Sequence, residues 1–192
     1  MKIFILLFYF FFAFTFFCFA QTKLPSKANK CNFTLKDAPV LRGLKLGMSE
    51  DEILKFFDVS EKKDLVPSFK RNSNLDSYID VSSSVYEKRK EFKDVSKLII
   101  IMFDKKLYLI HLQYACDSVS FENAQQFAKN ISEKFNLPFS AWDYRDKIKG
   151  DLRCKEFEIG INSSSNELAL MDKISEQRKK DIEEEKRKDF KP

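Results

Sequence analysis

Histidine and cysteine are scarce in this chain, and its 29 aspartates and glutamates are plentiful without any pair standing out. Of 192 residues one is a histidine, His111, and four are cysteines: Cys18, Cys31, Cys116 and Cys154. A single histidine excludes any mechanism that needs two. A cysteine nucleophile needs a base beside it. His111 stands five residues before Cys116, and on a strand that spacing points the two side chains to opposite faces. No two cysteines stand at metal-ligand spacing, so a zinc site is not expected. The four glycines are scattered, whereas Rossmann and P-loop enzymes cluster them around phosphate. Three consecutive acids, Glu50-Asp51-Glu52, resemble a calcium or catalytic cluster, but the start of a helix accounts for all three. No catalytic, cofactor-binding or metal-binding residue is assigned, and no cofactor is expected. The aromatics best placed to touch a partner are Trp142 and Tyr144, in the loop after the second helix.

The N-terminal residues carry a different kind of signal. Residues 1–20 hold nine of the 21 phenylalanines and one charge, Lys2. A basic start, an apolar run from Ile3 and a small residue before a polar one, Ala20-Gln21, form a secretory signal cleaved between those two. The alternative is an uncleaved anchor, since the run is just long enough to span a bilayer. Phe16 and Phe17 precede Cys18, where lipidation would need a small residue. Cleavage leaves Cys31, Cys116 and Cys154: one disulfide and one free thiol, with three possible pairings. It also takes the formal charge from +5 to +4 by removing Lys2. Basic and acidic residues are interleaved, as in Glu87-Lys88-Arg89-Lys90-Glu91, which is not the one-sided basic face of a nucleic-acid binder.

The elements follow from pattern. Residues 21–30 read as a mobile lead-in. Cys31 to Leu35 alternates and reads as a strand. Ser49 with Glu52 is a capping box, Met48 and Ile53 a hydrophobic staple, so a helix starts at Glu50. Residues 58–77 read as a long loop, and Tyr78 to Tyr86 as an irregular strand. Leu98–Phe103, Asp104-Lys105-Lys106 and Leu107–Tyr114 form a hairpin. In its return strand Leu107, Leu109, His111 and Gln113 share the more polar face. Ser120 caps a helix over Phe121–Asn136, with Phe127, Ala128 and Ile131 in its apolar stripe. Leu152 to Ile161 reads as one strand, Asn162 to Asn166 as a turn and Glu167 to Met171 as its return. From Lys173 the chain is densely charged, with Glu176/Lys180 and Glu184/Lys188 at i,i+4, and reads as a solvated helix.

The stretch Ala38–Phe57, with Leu41-Arg42-Gly43-Leu44-Lys45-Leu46-Gly47-Met48-Ser49 before a helix, resembles a group of uncharacterised exported bacterial proteins. Those continue with a hairpin like Leu98–Tyr114, a helix, a segment like Leu152–Phe157 and a charged helix ending like Phe190-Lys191-Pro192. More distantly, Gly47-Met48-Ser49 with Glu52-Ile53-Leu54 resembles the helix start of small outer-membrane-assembly lipoproteins and β-lactamase-inhibitor-like repeats. The resemblance implies an α+β fold, an antiparallel sheet with helices packed on one face, plus a charged C-terminal helix, used as a binding scaffold. This chain lacks the lipoproteins' acylated cysteine. The resemblance also puts cysteines near Cys31 and Cys154; both lie in expected strands, so this pair is the expected disulfide, with Cys116 free.

The organisation expected is a signal peptide at 1–20, a lead-in at 21–30, one α+β domain at 31–172 and a solvated helix at 173–192. The expected function is that of an exported, non-catalytic protein, periplasmic or secreted. Its partner is another envelope or secreted protein. No nucleic acid is expected, and no membrane span after cleavage. The alternative is a secreted hydrolase using carboxylates only, which needs two carboxyls across a cleft.

Overall fold

The computed structural model describes residues 30–57, 76–81, 83–86, 89–117 and 120–189. The expected signal, its Ala20-Gln21 boundary, nearly all of the lead-in, most of the 58–77 loop and the last residues lie outside these. The fold is α+β, built on a seven-stranded antiparallel sheet. Its strands are β1 (Asp76–Val81), β2 (Val95–Phe103), β3 (Lys106–Tyr114), β4 (Trp142–Tyr144), β5 (Lys149–Arg153), β6 (Phe157–Asn162) and β7 (Glu167–Asp172). They lie side by side in the order β1-β2-β3-β7-β6-β5-β4. The helices are α1 (Glu50–Phe56), the single turn α2 (Ser83–Tyr86), α3 (Ala124–Phe135) and α4 (Lys173–Asp189).

One sheet face carries the core. Registered neighbours Ile79, Ile100, Ile110, Leu170, Ile159 and Leu152 run across six strands, and all are buried. The helix α3 closes this face with Phe127, Ala128 and Ile131. Burying Phe127 completely stabilises the fold by about 1.5–3 kcal/mol from its area alone. A second closure is aromatic. Phe56 and Phe57 at the end of α1 meet Phe92, which also touches Tyr86, and the Tyr86 hydroxyl donates to the Ser96 carbonyl at 2.7 Å.

The capping box forms as the sequence implies. The Glu52 N–H donates to Ser49 Oγ at 3.3 Å, and the Ser49 N–H donates to Glu52 Oε2 at 2.7 Å. The Ser49 N–H, together with the Ser49 hydroxyl that donates to the same oxygen at 2.9 Å, holds the Glu52 carboxyl below the usual carboxylate range. Upstream, Leu41 and Leu44 exchange both backbone hydrogen bonds at 2.9 Å around Arg42-Gly43. Both central residues have positive φ, 56° and 90°, the tight hairpin turn that normally selects Asn-Gly. A methyl group at Gly43 would overlap the Phe56 ring, so the turn also needs glycine for close approach.

The disulfide joins Cys31 to Cys154, with Cα atoms 4.4 Å apart, and leaves Cys116 exposed as the free thiol. Neither bridged cysteine lies in a strand, however. Residues 31–34 form no regular element, and Cys154 lies in the turn between β5 and β6. The expected single strand from Leu152 to Ile161 is therefore two strands. The N-terminal segment lies along their turn: the Leu35 N–H donates to Glu156 Oε2 at 3.0 Å and the Glu156 N–H to the Phe33 carbonyl at 3.4 Å.

Other boundaries shift for local reasons. Tyr78 to Tyr86 is a strand followed by a helical turn. The cap of α3 is Asn123, whose Oδ1 accepts from the Gln126 N–H at 2.9 Å, and not Ser120. Phe121, still outside the helix, stacks on Phe127 at 3.8 Å and so continues the apolar stripe. The β2–β3 pairing shifts register between Ile101 and Met102, placing Tyr108 as the extra residue of a bulge. That bulge turns Leu107 into the core, where strict alternation had put it on the polar face.

The charged C-terminal helix is present but is not wholly solvated. Buried Asp172 caps α4, accepting from the Ile174 and Ser175 N–H groups at 2.8 and 3.2 Å. Lys173 Nζ donates to the Cys154 carbonyl at 2.8 Å, and Arg178 pairs with Asp104 at 3.0 Å. Beyond Asp181 only Ile182 is half-buried among the residues whose exposure is described. No described helix is long and apolar enough to cross a membrane.

Candidate functional site

The sheet face opposite the core is the most distinctive surface of the molecule. Alternation along each strand delivers its residues, and register lines them into three rows. One row runs Tyr78, Ile101, Leu109, Met171, Glu158, Arg153. Its first four members form an apolar strip: Tyr78 is 52% exposed, and Ile101, Leu109 and Met171 are half-buried. The middle row runs Asp80, Ile99, His111, Ala169, Gly160, Asp151, Asp143. The third holds Lys97, Gln113, Glu167, Asn162 and Lys149. The first turns of α4 flank this surface. Lys179 lies 5.7 Å from the Tyr108 ring centroid, and Lys180 is near enough to Glu158 to feel its charge.

Charge on this face is arranged in pairs around the strip. Lys97 meets Asp80 at 3.4 Å, and His111 Nε2 lies 4.0 Å from Glu167. Arg153 reaches Asp151, Glu158 and Asp143 at 3.3, 3.5 and 3.8 Å. Asp151 is buried, and its two oxygens accept separately from Arg145 at 2.8 Å and Arg153 at 3.3 Å. Both carboxylate oxygens are thus engaged, and neither is presented as a nucleophile or base. Burial pushes the His111 imidazole below its ordinary pKa; Glu167 opposes this and Lys97 adds to it. Small residues Ala169 and Gly160 floor a shallow depression of about 260 Å³ between His111 and Arg145. This face thus combines an apolar strip with paired charges that range from exposed to buried.

The residues singled out from sequence distribute differently. Trp142 is not an exposed loop aromatic. It begins the edge strand β4, is 4% exposed and donates from Nε1 to Ser132 Oγ at 2.8 Å. Tyr144, two residues on, turns to the same core face and is half-buried, its ring against Gly150. Trp142 is therefore not a surface contact of the kind expected, and Tyr144 is only partly exposed. The alternation Trp142-Asp143-Tyr144 was itself a strand signal. His111 does lie on the more polar face; Cys116, five residues on, lies past the end of β3, where Asn166 Nδ2 donates to its sulfur at 3.7 Å. Cys31 and Cys154 pair at the β5–β6 turn, whereas Cys116 lies beside Asn166 of the β6–β7 turn, at the other end of β6. Among the described residues no group of three His, Cys, Asp or Glu side chains is placed to hold a metal ion.

Sequence reading missed the apolar strip. The signal was available in Leu98–Phe103, which is apolar at every position and so apolar on both faces. Compared with known proteins, no family model, curated protein or solved structure matches the chain.

Proposed function

We propose that this is an exported, non-catalytic binding protein that holds a second envelope or secreted protein against the open face of its sheet. The observation that carries the reading is the strip Tyr78, Ile101, Leu109, Met171, set among paired charges on the face that α3 does not cover. An antiparallel sheet needs only one apolar face to fold. The second apolar row is surplus to that need, and a contiguous half-exposed apolar patch with a polar rim is the usual mark of association. Export is supported by the N-terminal pattern of residues 1–20, and a disulfide is compatible with an oxidising compartment.

The test places a photo-reactive phenylalanine analogue at Leu109 in the oxidised protein, and a control at Gln125 on the outer side of α3. Both are exposed to the native exported fraction and irradiated. The expected result is a discrete crosslinked species from position 109 only, competed by unlabelled wild-type protein and lost when Ile101→Arg is added. Equal labelling from both positions, or none from 109, refutes the reading.

A further inference from the structure

On the other side of the molecule, where the Leu41–Leu44 hairpin meets the last turn of α3, lies a cleft of about 260 Å³. Its lining is mostly apolar: Val40, Leu112, Tyr114 and Phe135, with Val40 47% exposed at the mouth. Its rim carries Arg42, Lys134 and Glu91. Arg42 is held in place by the positive φ of its turn, by Asp94 at 2.7 Å and by the Tyr114 ring, whose centroid is 5.5 Å from its guanidinium carbon. Those contacts leave part of its five-donor fork uncommitted.

The charges at the mouth do not cancel. Asp94 answers Arg42, and Glu91 lies 3.8 Å from Arg89. Lys134 has no ion pair among the described residues; its ammonium sits 5.5 Å from the Phe135 ring centroid. A largely apolar, open cleft with one unanswered cation and a second cation at its lip is complementary to an apolar body bearing one negative charge. The volume equals about nine water molecules, or an apolar body of roughly six to eight carbons.

We propose that this cleft binds a free carboxylic acid of that size, its apolar body against Val40, Tyr114 and Phe135 and its carboxylate between Lys134 and Arg42. A peptide C-terminus would bring in the same carboxylate, but also a preceding amide that needs its own partner. The site is separate from the open sheet face and does not depend on the function proposed for it.

The test uses octanoate as probe and octanamide as its neutral match, titrated calorimetrically against the full-length oxidised protein. Octanoate is expected to bind saturably with one site, at least ten-fold tighter than octanamide. Lys134→Gln is expected to weaken octanoate by about five- to ten-fold and leave octanamide unchanged, since 1.4 kcal/mol or less of ion pairing is removed. Val40→Trp, which fills the mouth, is expected to abolish both. Lys134 and Val40 are exposed, so both variants should fold. Equal affinity for the two probes, no saturable octanoate binding, unchanged binding in Lys134→Gln, or tighter binding of an N-acetylated tripeptide ending in phenylalanine would each overturn the proposal.

Discussion

Breaking the Cys31–Cys154 bridge should cost a large part of the folding free energy. The two residues are 123 apart in sequence, so the bond closes most of the domain into one loop. In the chain-entropy treatment a loop of that length removes enough freedom from the unfolded chain to stabilise the fold by about 5 kcal/mol at 25 °C. Residual structure in the unfolded chain lowers that figure, and about 3–5 kcal/mol is the working expectation. Domains of this kind are stable by roughly 5–15 kcal/mol in total, so the loss is visible and close to decisive.

The measurement is a pair of urea titrations on Cys31→Ala/Cys154→Ala and its parent, both carrying Cys116→Ser so that the exposed thiol cannot exchange. The midpoint should fall steeply. The slope should rise modestly, because the unbridged unfolded chain exposes more surface. Local effects should concentrate where the bridge ties the N-terminal segment to the β5–β6 turn, so amide exchange at Leu35 and Glu156 should accelerate first. A loss below about 1 kcal/mol would refute the entropic reasoning. A Cys116-containing bridge in non-reducing peptide maps of the exported protein would refute the pairing itself.

Gly43→Ala should destabilise by about 2–3 kcal/mol, combining positive-φ strain with overlap on Phe56; a change under about 0.5 kcal/mol in the urea midpoint would contradict this. Ser49→Ala should cost about 1 kcal/mol, the usual loss for a helix cap, and an unchanged midpoint would show the box contributes nothing. His111 is depressed below its ordinary pKa, so the unfolded chain binds the extra proton first on acidification. Its contribution is therefore complete above about pH 6.5 and is lost as pH falls toward the folded value; His111→Gln should flatten this part of the stability–pH profile, and identical profiles would refute it. N-terminal sequencing of exported protein should begin at Gln21, and an intact Met1–Ala20 would favour an anchor.

What could be read from sequence was local. The box at Ser49 and Glu52 needs only residues three apart, and the β2–β3 hairpin announces itself by a β-rich run on each side of Asp104-Lys105. What could not be read depends on partners distant in the chain. Alternation runs straight through Cys154-Lys155-Glu156, and only pairing with β7 on one side and β4 on the other shows that the chain turns there. Ser120 and Asn123 are both good caps, and packing of Phe121 on Phe127 decides between them. Trp142 is drawn to the edge of the sheet because Ser132, on a helix ten residues earlier, satisfies its indole N–H in the interior. The cleft at Arg42 and Lys134 joins residues 92 apart, beyond the reach of any spacing argument.

The same contrast bears on the two proposed surfaces. Where local pattern and fold agree, as at α1 or in the buried Ile100–Ile110–Leu170 row, stability explains the residues completely. Ile101, Leu109 and Met171 are different. Threonine or lysine at these positions would satisfy the strand, keep alternation and remove an aggregation hazard from the sheet. Arg42 is different in the same way: Asn would enter its left-handed turn at lower cost, yet the chain places there a long cation that needs Asp94 and Tyr114 to hold it. A sequence that otherwise caps its helices and fills its core carefully departs from the cheapest choice at these two places. Departures of that kind are where selection for something other than folding is expected to act. They lie on opposite sides of one sheet, so if the two proposals hold, a variant that disables one surface should leave binding at the other unchanged.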